Sequence, residues 1–163
     1  MPGPLNYTTT VAVERTLAEV QSMLGRSGAA AVATSYEPDG TPSGVQFVLR
    51  LSGGEYAYAL PVDVAAMHRA LLAAEKRGDF RGSKKAAGTF TSTAQARRVA
   101  WRVVKDWLEA QLALIAAGQA RVEQVMLPYL RVDAEHTLFE SWAERTLSLP
   151  APGGDLSAAG PTR

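Results

Sequence analysis

Cysteine is absent from the 163 residues. That removes disulfides, thiolate zinc sites and cysteine nucleophiles together, and it fits an intracellular chain. Histidine is nearly absent too. His68 and His136 are the only two, and neither has an acid–base partner at a recognisable spacing. Asp133, Glu135 and Glu140 surround His136, a grouping read as a local charged turn rather than a metal site. No HExxH, EF-hand loop, GxGxxG or GxSxG occurs, and "GDFRGSK" lacks the spacing of a phosphate-binding loop. The expectation is therefore a non-enzymatic chain with no cofactor and no metal. An apolar run of about 18 residues is missing as well, so no membrane span is expected. The opening "MPGPLNYTTT" lacks the regions of a signal peptide, which points to a cytoplasmic location. Nor does one sign of charge prevail, because the net charge is +1.

What is present is enough apolar residue, 47%, for one domain with a proper core. "LNYTTTV" (5–11) is β-branched and reads as a first strand. Val13, Leu17, Val20 and Leu24 recur at helical spacing up to Gly25. "AAAVATSY" (29–36) reads as a strand, and "EPDG" as a turn. "SGVQFVLRL" (43–51) alternates, with Val45, Phe47, Leu49 and Leu51 on one face. Gly53 and Gly54 suit a tight hairpin turn, and "EYAYAL" (55–60) returns with Tyr56, Tyr58 and Leu60 on one side. The two tyrosines are core if helices cover that face and a stacking platform if it is open. Asp63 caps a helix from Val64 to Lys76, which Gly78 ends. Ser92 and Gln95 have the spacing of a capping box for a long helix from Thr93 to about Ala117. Short helices over 119–127 and 136–147 complete the pattern. The fold class is α+β: a small antiparallel sheet of three to four strands with helices packed on one face and one long helix in the C-terminal half. It forms a single domain over 5–148, with a mobile basic loop at 78–92 and a disordered tail at 149–163.

The long helix carries the densest stretch, "RRVAWRVVKDW" (97–107). Arg98, Arg102, Lys105 and Glu109 share a stripe of ~60°, and most other positions are apolar, so Trp107 reads as core. Arg102 with Asp106 and Lys105 with Glu109 make helical pairs. Arg97 and Arg98 have no such partners and sit near the positive end of the helix dipole, where anions rather than cations are favoured. From Lys76 to Lys105 there are nine basic residues and one acid, Asp79. Phe80 and Phe90 are interleaved among them. Two readings stand. In one, Arg81, Lys84, Lys85, Arg97, Arg98 and Arg102 contact phosphates while Phe80 or Phe90 stacks on bases. In the other, the segment is a solvated linker.

"NYTTTV", "ARRVAWRVVKDWLEAQLALIAAG" and "MLPYL" together resemble a family of small proteins of bacteriophages and integrated mobile elements. The resemblance covers about residues 5 to 130, and Val99 to Gln111 is its specific part. The loop 78–92 and the tail fall outside it. It transfers no activity and implies a phage or mobile-element setting. The leading expectation is a protein that binds nucleic acid, chiefly single-stranded DNA, as a replication or recombination accessory. Two alternatives come from other classes. One is an antagonist of host defence that binds a host factor or an anionic nucleotide. The other is a self-associating structural component, in which the chain is a homo-oligomer.

Overall fold

The computed structural model describes residues 4–80 and 88–146. Five helices and three strands run in the order α1 (Val13–Arg26), β1 (Ala29–Tyr36), β2 (Pro42–Leu51), β3 (Gly54–Pro61), α2 (Val64–Arg77), α3 (Thr93–Ala116), α4 (Val122–Met126) and α5 (Leu138–Arg145). The strands form one antiparallel meander in the order β1-β2-β3. This is the α+β architecture, with the long α3 in the C-terminal half.

Strand alternation assigns the faces. Val32, Phe47 and Tyr58 stand opposite one another across the sheet, as do Thr34, Val45 and Leu60. Facing residues of antiparallel strands share a side, so these form the inner face. Val45, Phe47, Tyr58 and Leu60 are buried there with Val20 and Leu24 of α1 and Trp101 and Leu108 of α3. Tyr58 stacks on Phe47 with centroids 5.3 Å apart, so the tyrosine face is covered and belongs to the core. Burial also pushes the Tyr58 hydroxyl above its ordinary pKa. A second, smaller core lies between α2 and α3, where Leu71 meets Ala96 and Val99.

Several boundaries differ from the sequence reading. Residues 5–8 turn rather than extend. Asn6 has φ +60°, and its carbonyl accepts from the Thr9 N–H at 2.9 Å. Among the described residues no strand pairs with the β-branched run, and Gln95 of α3 captures it instead. The hairpin turn falls on Ser52 and Gly53, and of the two glycines only Gly54 takes a positive φ. The helix expected over 119–127 is shortened to α4, followed by a 3-10 turn at Leu127–Tyr129 that begins before Pro128. At Gly44 a side chain has no room, because a Cβ there would lie 2.8 Å from the Leu60 carbonyl oxygen.

The outer face of the sheet carries Ala31, Ala33, Val48, Gln46, Ala57 and Ala59. The segment after the 3-10 turn closes the free edge of β3. Leu130 bridges Tyr58, the Arg131 N–H donates to the Ala57 carbonyl at 2.8 Å, and the Arg131 guanidinium reaches Gln46 Oε1. Among the described residues no helix is long and apolar enough to cross a membrane.

Candidate functional site

Arg81, Lys84 and Lys85 lie outside the described residues. The two ends of their loop are tightly held. Glu75 of α2 accepts from the Gly88 N–H at 3.1 Å and from the Thr91 hydroxyl at 3.3 Å. The His68 Nε2–H donates to the Thr91 carbonyl at 2.8 Å. Phe80 stacks on Tyr7 at 4.6 Å, and Phe90 meets both rings, edge-on to Tyr7 at 5.1 Å and tilted to Phe80 at 5.4 Å. Phe90 is 5% exposed. The two phenylalanines expected to stack on bases therefore pack in one ring cluster with Tyr7 on either side of residues 81–87.

The cations of α3 are drawn to separate neighbours. Arg102 does not bond Asp106; its Nη1 donates to Glu19 Oε2 of α1 at 2.6 Å. That hydrogen bond holds the Glu19 carboxyl below its ordinary pKa. Asp106 accepts from Asn6 Nδ2 at 2.7 Å instead. Lys105 pairs with Glu109 as its spacing implied and also lies 3.4 Å from Asp106. The Glu109 bond raises the Lys105 pKa. Arg98 Nη1 donates to Gln95 Oε1 at 3.2 Å. Arg97 faces the β1–β2 turn, where its charge joins the Thr41 hydrogen bonds in lowering the Asp39 carboxyl pKa. On α2, Arg77 bonds Asp79 at 2.7 Å. The basic segment thus splits among α1, α3 itself, Asp79 and the β1–β2 turn, and three of its described cations, Arg77, Arg102 and Lys105, are paired with carboxylates.

A groove of about 740 Å³ opens beside Arg97 over the outer face. Ser35, Gly44 and Ala59 form its floor. Glu37, Asp39, Asp63 and Glu140 rim it, against the single guanidinium of Arg97. Three of those carboxylates also serve the backbone: Asp39 bonds Thr41, Asp63 caps α2, and Glu140 closes a capping box with Thr137. The turn at Asp39 and the cap at Asp63 were visible in the sequence, but the Glu140 capping box and the convergence of the carboxylates were not. Four carboxylates make this rim unfavourable for a phosphate chain.

One edge of the sheet is the outer side of β1. Among the described residues no backbone group pairs with it. Its eight residues contain no charge and no proline. Irregularities at Ala29–Ala31 and Ser35–Tyr36 bound a regular stretch from Ala31 to Ser35. Ala30, Ala31, Ala33 and Tyr36 are exposed, Tyr36 at 60%. A second exposed apolar surface lies on α5, where Phe139 and Trp142 are 6.1 Å apart.

His136 belongs to a local ionic turn. Its Nδ1 lies 3.1 Å from Asp133, and its Nε2 lies 3.4 Å from Glu144. Among the described residues no three His, Asp or Glu side chains are placed to hold a metal. The Asp133 bond raises the His136 pKa above its ordinary value. The His136 contribution to stability is therefore full below the unfolded-state pKa and is lost as pH rises through the higher folded value. Asp133, lowered first by the backbone N–H groups of Glu135 and His136, behaves oppositely. Its contribution is present above the ordinary carboxyl pKa and is lost as pH falls through the lower folded value. Asp133→Asn is expected to return the His136 pKa toward about 6.5, read from the ring-proton NMR titration. An unchanged titration would show that Asp133 does not hold the imidazolium.

The chain matches no protein-family model, no curated protein and no solved structure.

Proposed function

We propose that this chain is a non-catalytic interaction domain that recruits its partner by adding a strand to β1. The carrying observation is the free edge itself. Alternate residues along its eight-residue length turn N–H and C=O groups away from β2, unpaired among the described residues, without the charge or proline that ordinarily blunts such an edge. Main-chain hydrogen bonds supply the affinity in this mode of recognition, and alternate side chains supply the selectivity. The setting implied by the family resemblance, a phage or mobile element, suits a small adaptor of this kind. The test is selection from a random-peptide library followed by amide hydrogen exchange. Selected peptides are expected to slow exchange in β1 and to lose binding to Ala33→Lys. Peptides that protect only other elements would overturn the reading.

A second reading, a single-stranded DNA accessory, is favoured by the excess of cations between Lys76 and Lys105. Of those described, Lys76, Arg97 and Arg98 have no carboxylate within ion-pair distance among the described residues. It requires binding of a labelled oligothymidine that falls steeply with salt. Binding must also weaken in the double variant Lys84→Glu with Arg98→Glu. Affinity indifferent to both removes it.

A further inference from the structure

We infer that the strand added to β1 is β1 of a second copy, in antiparallel register about a two-fold axis near Val32 and Ala33. The inference rests on the strand-addition reading and names its partner. Two three-stranded sheets then become one sheet of six strands.

Charge complementarity selects this occupant. Arg26, the last residue of α1, stands exposed just before β1. Glu37 and Asp39 stand exposed just after it. Antiparallel pairing carries the start of one strand past the end of the other, so Arg26 of each copy meets the Glu37–Asp39 turn of its mate. The two-fold axis makes this happen twice. Parallel pairing would set Arg26 beside Arg26 and Glu37 beside Glu37. The strand between is neutral, so no like charges face one another across the axis.

Side-chain size agrees. Tyr36, large and exposed, ends the strand. Antiparallel pairing about Val32 or Ala33 brings it beside Gly28–Ala30 of the other copy, where nothing is larger than a methyl group. Ala31 and Ala33 sit at the middle, on the outer face, so two copies approach without a clash. The other edge of the sheet is already used by Leu130 and Arg131. Growth therefore stops at two copies, as a closed isologous interface requires.

The full chain is tested by light scattering over a concentration series. The expected mass is twice the 17.4 kDa of one chain. Ala33→Lys sets ammonium groups against each other at the axis and is expected to give a folded monomer with unchanged circular dichroism, because Ala33 is exposed, and with a Tm that no longer rises with protein concentration. Arg26→Glu is expected to weaken dimerisation about tenfold or more, and adding Glu37→Arg is expected to restore it. A dimer indifferent to Ala33→Lys and Arg26→Glu, or one lost only with Phe139→Ser and Trp142→Ser, overturns the inference. A wild-type monomer whose β1 still takes up a selected peptide overturns self-pairing and leaves strand addition standing. A monomer that takes up no peptide at β1 overturns both.

Discussion

Trp101→Ala is expected to lower the unfolding free energy by about 3–5 kcal/mol, which lowers Tm by about 6–20 °C for a chain of this size. Trp101 is the largest fully buried side chain among the described residues. It fills the space between α3 and the inner face of the sheet, in one cluster with Val45, Phe47 and Leu60. Its indole N–H donates to the carbonyl of Pro42, the first residue of β2, at 3.3 Å. Truncation removes the packing, leaves a cavity that rigid neighbours cannot close, and strands a carbonyl. Trp101→Phe keeps most of the volume and loses the bond, so a smaller cost of about 1–3 kcal/mol is expected. Trp142, 43% exposed on α5, is the control, and Trp142→Ala is expected to change stability by no more than about 0.5 kcal/mol. Urea unfolding followed by far-ultraviolet circular dichroism measures all three. A Trp101→Ala loss no larger than that of Trp142→Ala would refute this account of the core.

Local chemistry made most of the fold legible. Apolar spacing placed α1, α2 and α3 because each buries one stripe, and that stripe is written every three or four residues. Alternation placed β2 and β3 because a meander with one covered face must alternate. Turn and cap residues act within a few positions, so Asp63 and Ser92 could be read directly as helix starts. The failure at 5–11 follows from the same physics. A β-branched run becomes a strand only if a neighbour offers a register, and here Gln95 takes the carbonyls of Tyr7 and Thr9.

The candidate site was less legible because it depends on pairings far apart in the chain. Counting along one helix linked Arg102 to Asp106, yet Glu19 lies 83 positions away in sequence and wins the guanidinium. A carboxylate on a packed neighbour needs no helical spacing, and no local pattern announces it. Phe80 and Phe90 looked free because Tyr7, which closes their cluster, stands far earlier in the chain. The free edge was half visible. A meander must leave its first and last strands unpaired, but which of the two the C-terminal segment covers is decided by Leu130 and Arg131. Nothing in the strand sequences anticipates that.

Gln95→Leu is expected to cost about 1–3 kcal/mol, from two half-buried carbonyls losing their buried donor, although Leu keeps nearly the same volume. Gln95 is 6% exposed. Its Nε2 donates to the Tyr7 and Thr9 carbonyls, both at 2.8 Å, and its Oε1 accepts from Arg98. Only half of the capping box therefore forms: Ser92 Oγ accepts from the Gln95 N–H at 3.1 Å, but the amide turns to the N-terminal segment instead of back to Ser92. Both amide hydrogens are used, so a carboxylate at this position presents acceptors to acceptors. Gln95→Glu is expected to be worse than Gln95→Leu at about pH 8 and to recover partly at about pH 5, as burial raises the carboxyl pKa and the protonated acid donates again. Because the freed segment carries Tyr7, the ring cluster with Phe80 and Phe90 should loosen with it. Gln95→Leu and Tyr7→Ala are therefore expected to be non-additive in a double-mutant cycle, with a coupling of about 0.5–3 kcal/mol. Strict additivity would mean that Gln95 stabilises α3 alone and does not hold the N-terminal segment against the base of the basic loop.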